Sequence, residues 1–184
     1  MKFRLLACFG ALAFVSLPAS ATAILADGSY HEFLFGGTDL FATSCAGGCL
    51  ATTNPIAEET SSPPWTFTGS ATLTVVDLFA VGDQFEIFDN SIEVGTTSVV
   101  AAGGGNPCGG DIGCALANSA YSQGVFDLGA GSHSITIEEI VSPYGSGAAA
   151  FSVGTVPEPG TVVLLGAGLA GLWLRRRHFV AGSD

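Results

Sequence analysis

Between the two apolar ends of this chain, the side chains with chemical potential are four cysteines, two histidines and a spread of carboxylates. Cys45 and Cys49 bracket Ala46-Gly47-Gly48, and Cys108 and Cys114 bracket a loop with glycine at 109, 110 and 113. An even set of cysteines in an oxidising compartment reads as a disulfide framework, and four allow three connectivities. Glycine lets so tight a loop close without strain, which favours Cys45 with Cys49 and Cys108 with Cys114. The alternative is pairing across the two loops. Zinc wants C-x2–4-C spacing, and C-x3-C with C-x5-C fits it poorly.

The carboxylates offer two chemistries. Glu58-Glu59 and Glu138-Glu139 are pairs, and glycosidases need two acids facing each other across a cleft. Neighbours on a strand point to opposite faces, so neither pair makes such a dyad alone. Asp77, Asp83, Asp89, Asn90 and Glu93 gather around two turns. Hard cations take carboxylate and carbonyl oxygens, so a structural calcium on Asp83, Asp89 and Asn90 stands beside the plainer reading of turn-forming residues. The spacing matches no EF-hand loop. His31 and His133 lie in no nucleophile motif, and G-x-S-x-G is absent; His133 follows a glycine turn and reads as a strand cap. The expectation is no catalytic residue, no enzyme, and no cofactor beyond that calcium.

Charge narrows the partners. The chain has 16 acidic and five basic residues, and none of the basic ones falls between positions 5 and 174. A body without Lys or Arg cannot neutralise phosphates, which argues against nucleic acid and gives anionic substrates no cationic clamp. Cations, neutral polymers and water are the partners left.

The elements that must carry these groups are strands. Trp65, Phe67, Gly69, Ala71, Leu73 and Val75 alternate with Thr66, Thr68, Ser70, Thr72 and Thr74, a period of two. Residues 84–88 and 92–97 flank the turn Asp89-Asn90-Ser91 as a hairpin. Ile135, Ile137 and Glu139 share one face of a later strand, and Ala149, Phe151 and Val153 end the body, closed off by Gly154-Thr155. Residues 30–35 and 124–128 add further strands. This pattern predicts an all-β fold, an antiparallel β-sandwich of jelly-roll type, flanked by an N-terminal signal helix and a C-terminal transmembrane helix. Trp65, Tyr121 and Tyr144 are candidates for an exposed aromatic platform of a carbohydrate-binding module.

Both ends address a membrane. Lys2 and Arg4 precede the apolar residues 5–17, and Ala21-Thr22-Ala23 supplies a signal-peptidase site cutting after Ala23. Ala19-Ser20-Ala21 is a second site. Cys8 lies too early in the apolar run to be a lipid-anchor cysteine. At the other end, Val156-Pro157-Glu158-Pro159 cannot continue a helix, residues 161–174 are apolar but short of the roughly 20 that span a bilayer comfortably, and Arg175, Arg176 and Arg177 make a cytoplasmic stop. Gly166, Gly168 and Gly171 match G-x-G-x-x-G, but no βαβ unit follows; they read as small residues for helix packing.

This tripartite tail resembles the PEP-CTERM sorting signal. The resemblance implies processing by exosortase, a membrane cysteine transpeptidase, at Val156, Pro157, Glu158 and Pro159, with Arg175 to Arg177 as the stop. The phrases at residues 81–90 and 129–137 are also similar to segments in bodies of such proteins. The expected organisation is a signal peptide (1–23), an exported β-domain (24–154), the sorting signal (155–178) and a tail (179–184). Signal peptidase and exosortase are the implied processing partners, the inner membrane a transient anchor, and the cell surface or extracellular space the destination, with extracellular polysaccharide as a companion.

Overall fold

The computed structural model describes residues 21–46, 48–50, 52, 53, 55, 57–59, 61–156, 168 and 169. The expected signal helix, residues 157–159 of the sorting motif, and the arginines at 175–177 lie outside the described residues. Gly168 and Leu169 are helical, and among the described residues no helix is long and apolar enough to cross a membrane.

The body is two β-sheets. In chain order the strands are β1 (Thr22–Ala23), β2 (Asp27–Phe35), β3 (Leu40–Phe41), β4 (Thr43–Ser44), β5 (Ala57–Glu59), β6 (Trp65–Thr68) and β7 (Ala71–Asp77). They continue with β8 (Gln84–Asp89), β9 (Ile92–Thr96), a short helix α1 (Ile112–Ala117), β10 (Gln123–Leu128), β11 (Ser132–Val141) and β12 (Gly147–Thr155). One sheet runs β1-β6-β11-β8-β9, with β3 on β11; the other runs β10-β7-β12-β2-β4, with β5 on β2. Pairing is antiparallel except for β1 on β6 and β5 on β2.

The alternation read through residues 65–75 is real but belongs to two strands in different sheets. Gly69, at φ +101°, adopts a conformation that side-chain-bearing residues avoid. There the chain turns from β6 in one sheet to β7 in the other without losing its inward register. Trp65 and Phe67 therefore face Leu73 and Val75 across one core, joined by Phe33, Phe35, Phe85, Ile87, Ile135, Ile137 and Phe151. Burying each such side chain is worth about 1.5–3 kcal/mol. Trp65 sits closest to Phe151, ring centroids 4.6 Å apart. At the β8–β9 hairpin, Asn90 and Ser91 both have positive φ (51° and 64°), as a two-residue turn matched to strand twist requires.

A second, smaller core covers the outer face of β7 and β12. Val76 and Ala150, out of phase with Val75 and Phe151, pack with Leu78, Ile112, Ala115 and Tyr121. Sequence reading placed no helix inside the body, yet α1 is there. The Asp111 carboxylate caps it by accepting from the Cys114 N–H at 2.8 Å. Six residues are too few for a periodic signal, and such a turn is held by its cap and by packing.

The sheets also run past the expected domain edges. Thr22 and Ala23 pair with Trp65 and Thr66. Gly154 and Thr155, read as a closing linker, are the last rungs of β12 and pair with Thr72 and Ala71.

Candidate functional site

Strand β11 carries the polar groups that matter, one at each end of its inward face. His133, Ile135, Ile137 and Glu139 all point inward and are buried. The two polar ends are six residues apart, about 20 Å along a strand.

At the first end, His133 joins three turns. Its Nδ1 lies 2.7 Å from Asp89 Oδ2, and its Nε2 lies 3.1 Å from the Gly69 carbonyl and 2.9 Å from that of Gly129. Every partner is an acceptor, so the ring fills both positions only as an imidazolium donating from each nitrogen. Burial opposes that charge, but the hydrogen bonds from Asp89, Gly129 and Gly69 outweigh it and hold the pKa above its ordinary 6.5. Asp89 is fixed in turn, its Oδ1 accepting from Ser134 N–H and from the Asn90 amide, both at 3.0 Å. A groove of about 600 Å³ beside this cluster is lined by Ile24, Ala26, Phe67, Asn90 and His133. A ring with both nitrogens committed has no lone pair to offer as a base.

At the second end three acids are buried together. Asp77 ends β7, Asp83 precedes β8, and Glu139 lies on β11; they are 0%, 3% and 0% exposed. Glu139 Oε2 accepts from Gly37 N–H at 2.9 Å. The side chains of Glu139 and Ser142 lie near Asp83 and ease its charge. Both Asp77 oxygens, Asp83 Oδ1 and Glu139 Oε1 have no hydrogen-bond partner. The N–H groups of Leu78, Gly82 and Asp83 lie near Asp77 and ease its charge without reaching hydrogen-bond geometry. Burial, then the neighbouring Asp83 charge, pushes Asp77 up to about 8. Burial likewise lifts Glu139 to about 7 and Asp83 to about 6.

The calcium grouping expected from sequence does not assemble. Asp83 lies just before β8 (Gln84–Asp89) and Asp89-Asn90 at its far end, and six strand residues hold them about 20 Å apart. Asp89 and Asn90 serve the His133 cluster, whereas Asp83 faces Asp77 and Glu139. Among the described residues, no three His, Cys, Asp or Glu side chains converge to hold a metal by themselves. Proximity in sequence had stood in for proximity in space. Glu139 was legible as inward-facing from its register with Ile135 and Ile137; its meeting with Asp83 depends on the pairing of β11 with β8, which no local pattern encodes.

Two of the three aromatic platform candidates are core. Trp65 and Tyr121 are 0% exposed. The Trp65 indole N–H donates to Ser61 O at 2.9 Å, and the Tyr121 hydroxyl donates to Phe79 O at 2.9 Å while accepting from Cys108 N–H at 3.0 Å. Tyr144 is 50% exposed, its hydroxyl accepting from Gly103 N–H at 3.1 Å. Glu138 and Glu139 diverge as strand geometry demands, Glu138 on the outward face and Glu139 inside. The disulfides join Cys45 with Cys49 and Cys108 with Cys114, at Cα separations of 4.6 and 5.6 Å.

The chain leaves the body from the middle of a sheet. β12 lies between β7 and β2 and ends at Thr155, after which Val156 N–H donates to Ser70 O at 3.2 Å. Pro157 follows immediately. A family model described as the PEP-CTERM protein-sorting motif matches residues 155–177, the segment that begins on this last rung. No curated protein and no solved structure matches the chain.

Proposed function

The chain carries a PEP-CTERM sorting motif and is therefore exported and sorted through the membrane-associated exosortase; from this premise we propose that its β-domain is a non-catalytic cargo delivered to the cell surface or extracellular matrix, where it associates with polysaccharide. The sorting match at residues 155–177 carries the reading. The body supports it: two antiparallel-rich sheets in the orders β2-β12-β7-β10 and β6-β11-β8-β9 fit the jelly-roll sandwich expected of the body, and we propose that N- and C-terminal membrane helices flank it. A non-catalytic role is favoured by His133, whose ring nitrogens are both committed to structure. The alternative, a carbohydrate-binding module, keeps only Tyr144 of its expected platform. Mass spectrometry of the protein recovered from its native host tests the sorting step. A mature species ending near Pro157 is expected, and an intact Arg175-Arg176-Arg177 tail on the surface-located protein overturns it.

A further inference from the structure

The three acids at the Asp77 end of the sandwich pose a charge problem that no Lys or Arg of the body can solve. No Lys or Arg exists between residues 5 and 174, and His133 is held at the opposite end of β11 by Asp89. Buried charge is tolerated only when paired or coordinated. Here the carboxylates are at least 97% buried, by the exposures of 0%, 3% and 0%, and four of their oxygens lack any partner. Oxygen donors alone, negatively charged and screened from water, are what a hard cation selects.

We propose that Asp83, Glu139 and the Ser142 hydroxyl bind one hard divalent cation of the calcium class, with Asp77 near Asp83 supplying further negative charge. Two carboxylates suffice as side-chain ligands, because calcium fills its six to eight positions with hydroxyl, carbonyl and water oxygens as well. That accords with the absence of three convergent acids among the described residues. Gly37 N–H holds Glu139 Oε2 at 2.9 Å, which leaves Oε1 as the free donor, and Ser142 Oγ is positioned by Gly145 N–H at 3.1 Å. The ion would tie the loop after β7, the loop after β11 and the turn at Gly37 into one unit. This site is independent of the sorting motif.

The test uses the full-length chain in detergent, freed of metal with EDTA and titrated with calcium or magnesium chloride at pH 8 while thermal unfolding is followed. Calcium should raise the melting temperature by several degrees, saturably, and equilibrium dialysis should find about one ion per chain. Asp83→Asn with Glu139→Gln should abolish the response while remaining folded, since it removes charge without volume. Should that pair fail to fold, Ser142→Ala should weaken calcium affinity without altering charge, and Asp89→Asn at the other end should leave it unchanged. A melting temperature indifferent to either cation, with stability recovered only on acidification, overturns the proposal in favour of protons.

Discussion

His133 and Asp89 form an ion pair at 2.7 Å, in a body that has no lysine or arginine. The charge is used to join turns: the imidazolium draws Gly69, Gly129 and Asp89 together from three separate connections. Because folding raises the pKa of His133, its contribution to stability is complete below the ordinary imidazole value and is lost as pH rises through the folded one. His133→Gln should cost about 2 kcal/mol at pH 6 and clearly less at pH 9. Denaturant titrations at the two pH values check it; an equal cost at both rejects the charged ring.

The buried acids give a second pH dependence of the same sign. Asp77, Asp83 and Glu139 have folded pKa values raised to about 8, 6 and 7. Their neutral forms favour the fold, so in chelator-treated protein stability should fall as pH rises from about 4 towards 8. Asp77→Asn should flatten the upper part of that decline. An unchanged profile in the variant would show that Asp77 ionises as freely folded as unfolded.

Trp65 and Tyr144 should separate core from surface. Trp65→Ala removes a fully buried ring packed on Phe33 and Phe151 and should cost about 3–5 kcal/mol. Tyr144→Ala should stay within about 0.5 kcal/mol. On a glycan array, a carbohydrate-binding function would show as signal lost in Tyr144→Ala at unchanged stability.

Each disulfide closes a short loop, with sequence separations of 4 and 6. Loop-closure entropy puts replacement of either pair by serine at about 2 kcal/mol, measurable as a shifted denaturation midpoint. Loss of Cys108–Cys114 should also loosen the Asp111 cap of α1, seen as faster exchange of the backbone amide at position 114.

Much of this was readable in the chain because it is local. Alternation put Trp65, Phe67, Leu73 and Val75 on one face, Asn90-Ser91 turned the hairpin, and glycine-spaced cysteines found their neighbours. Alternation could not show that Gly69 sends the strand into the other sheet, since inward register survives the turn. Nor could it assign Trp65 to the core rather than to a binding platform, because both sheet faces look alike from one strand. Asp83 and Glu139 are 56 positions apart by their numbering, and only the pairing of β8 with β11 brings them together.

The exit of the chain through β12 has a mechanical consequence. A tether drawn at the sorting segment pulls on Thr155, along the axis of a strand bonded on both sides by β7 and β2. Antiparallel hydrogen bonds lie perpendicular to the strand, so tension along β12 loads them together in shear rather than peeling them one at a time. A protein anchored by this end would resist drag with the whole width of its inner sheet.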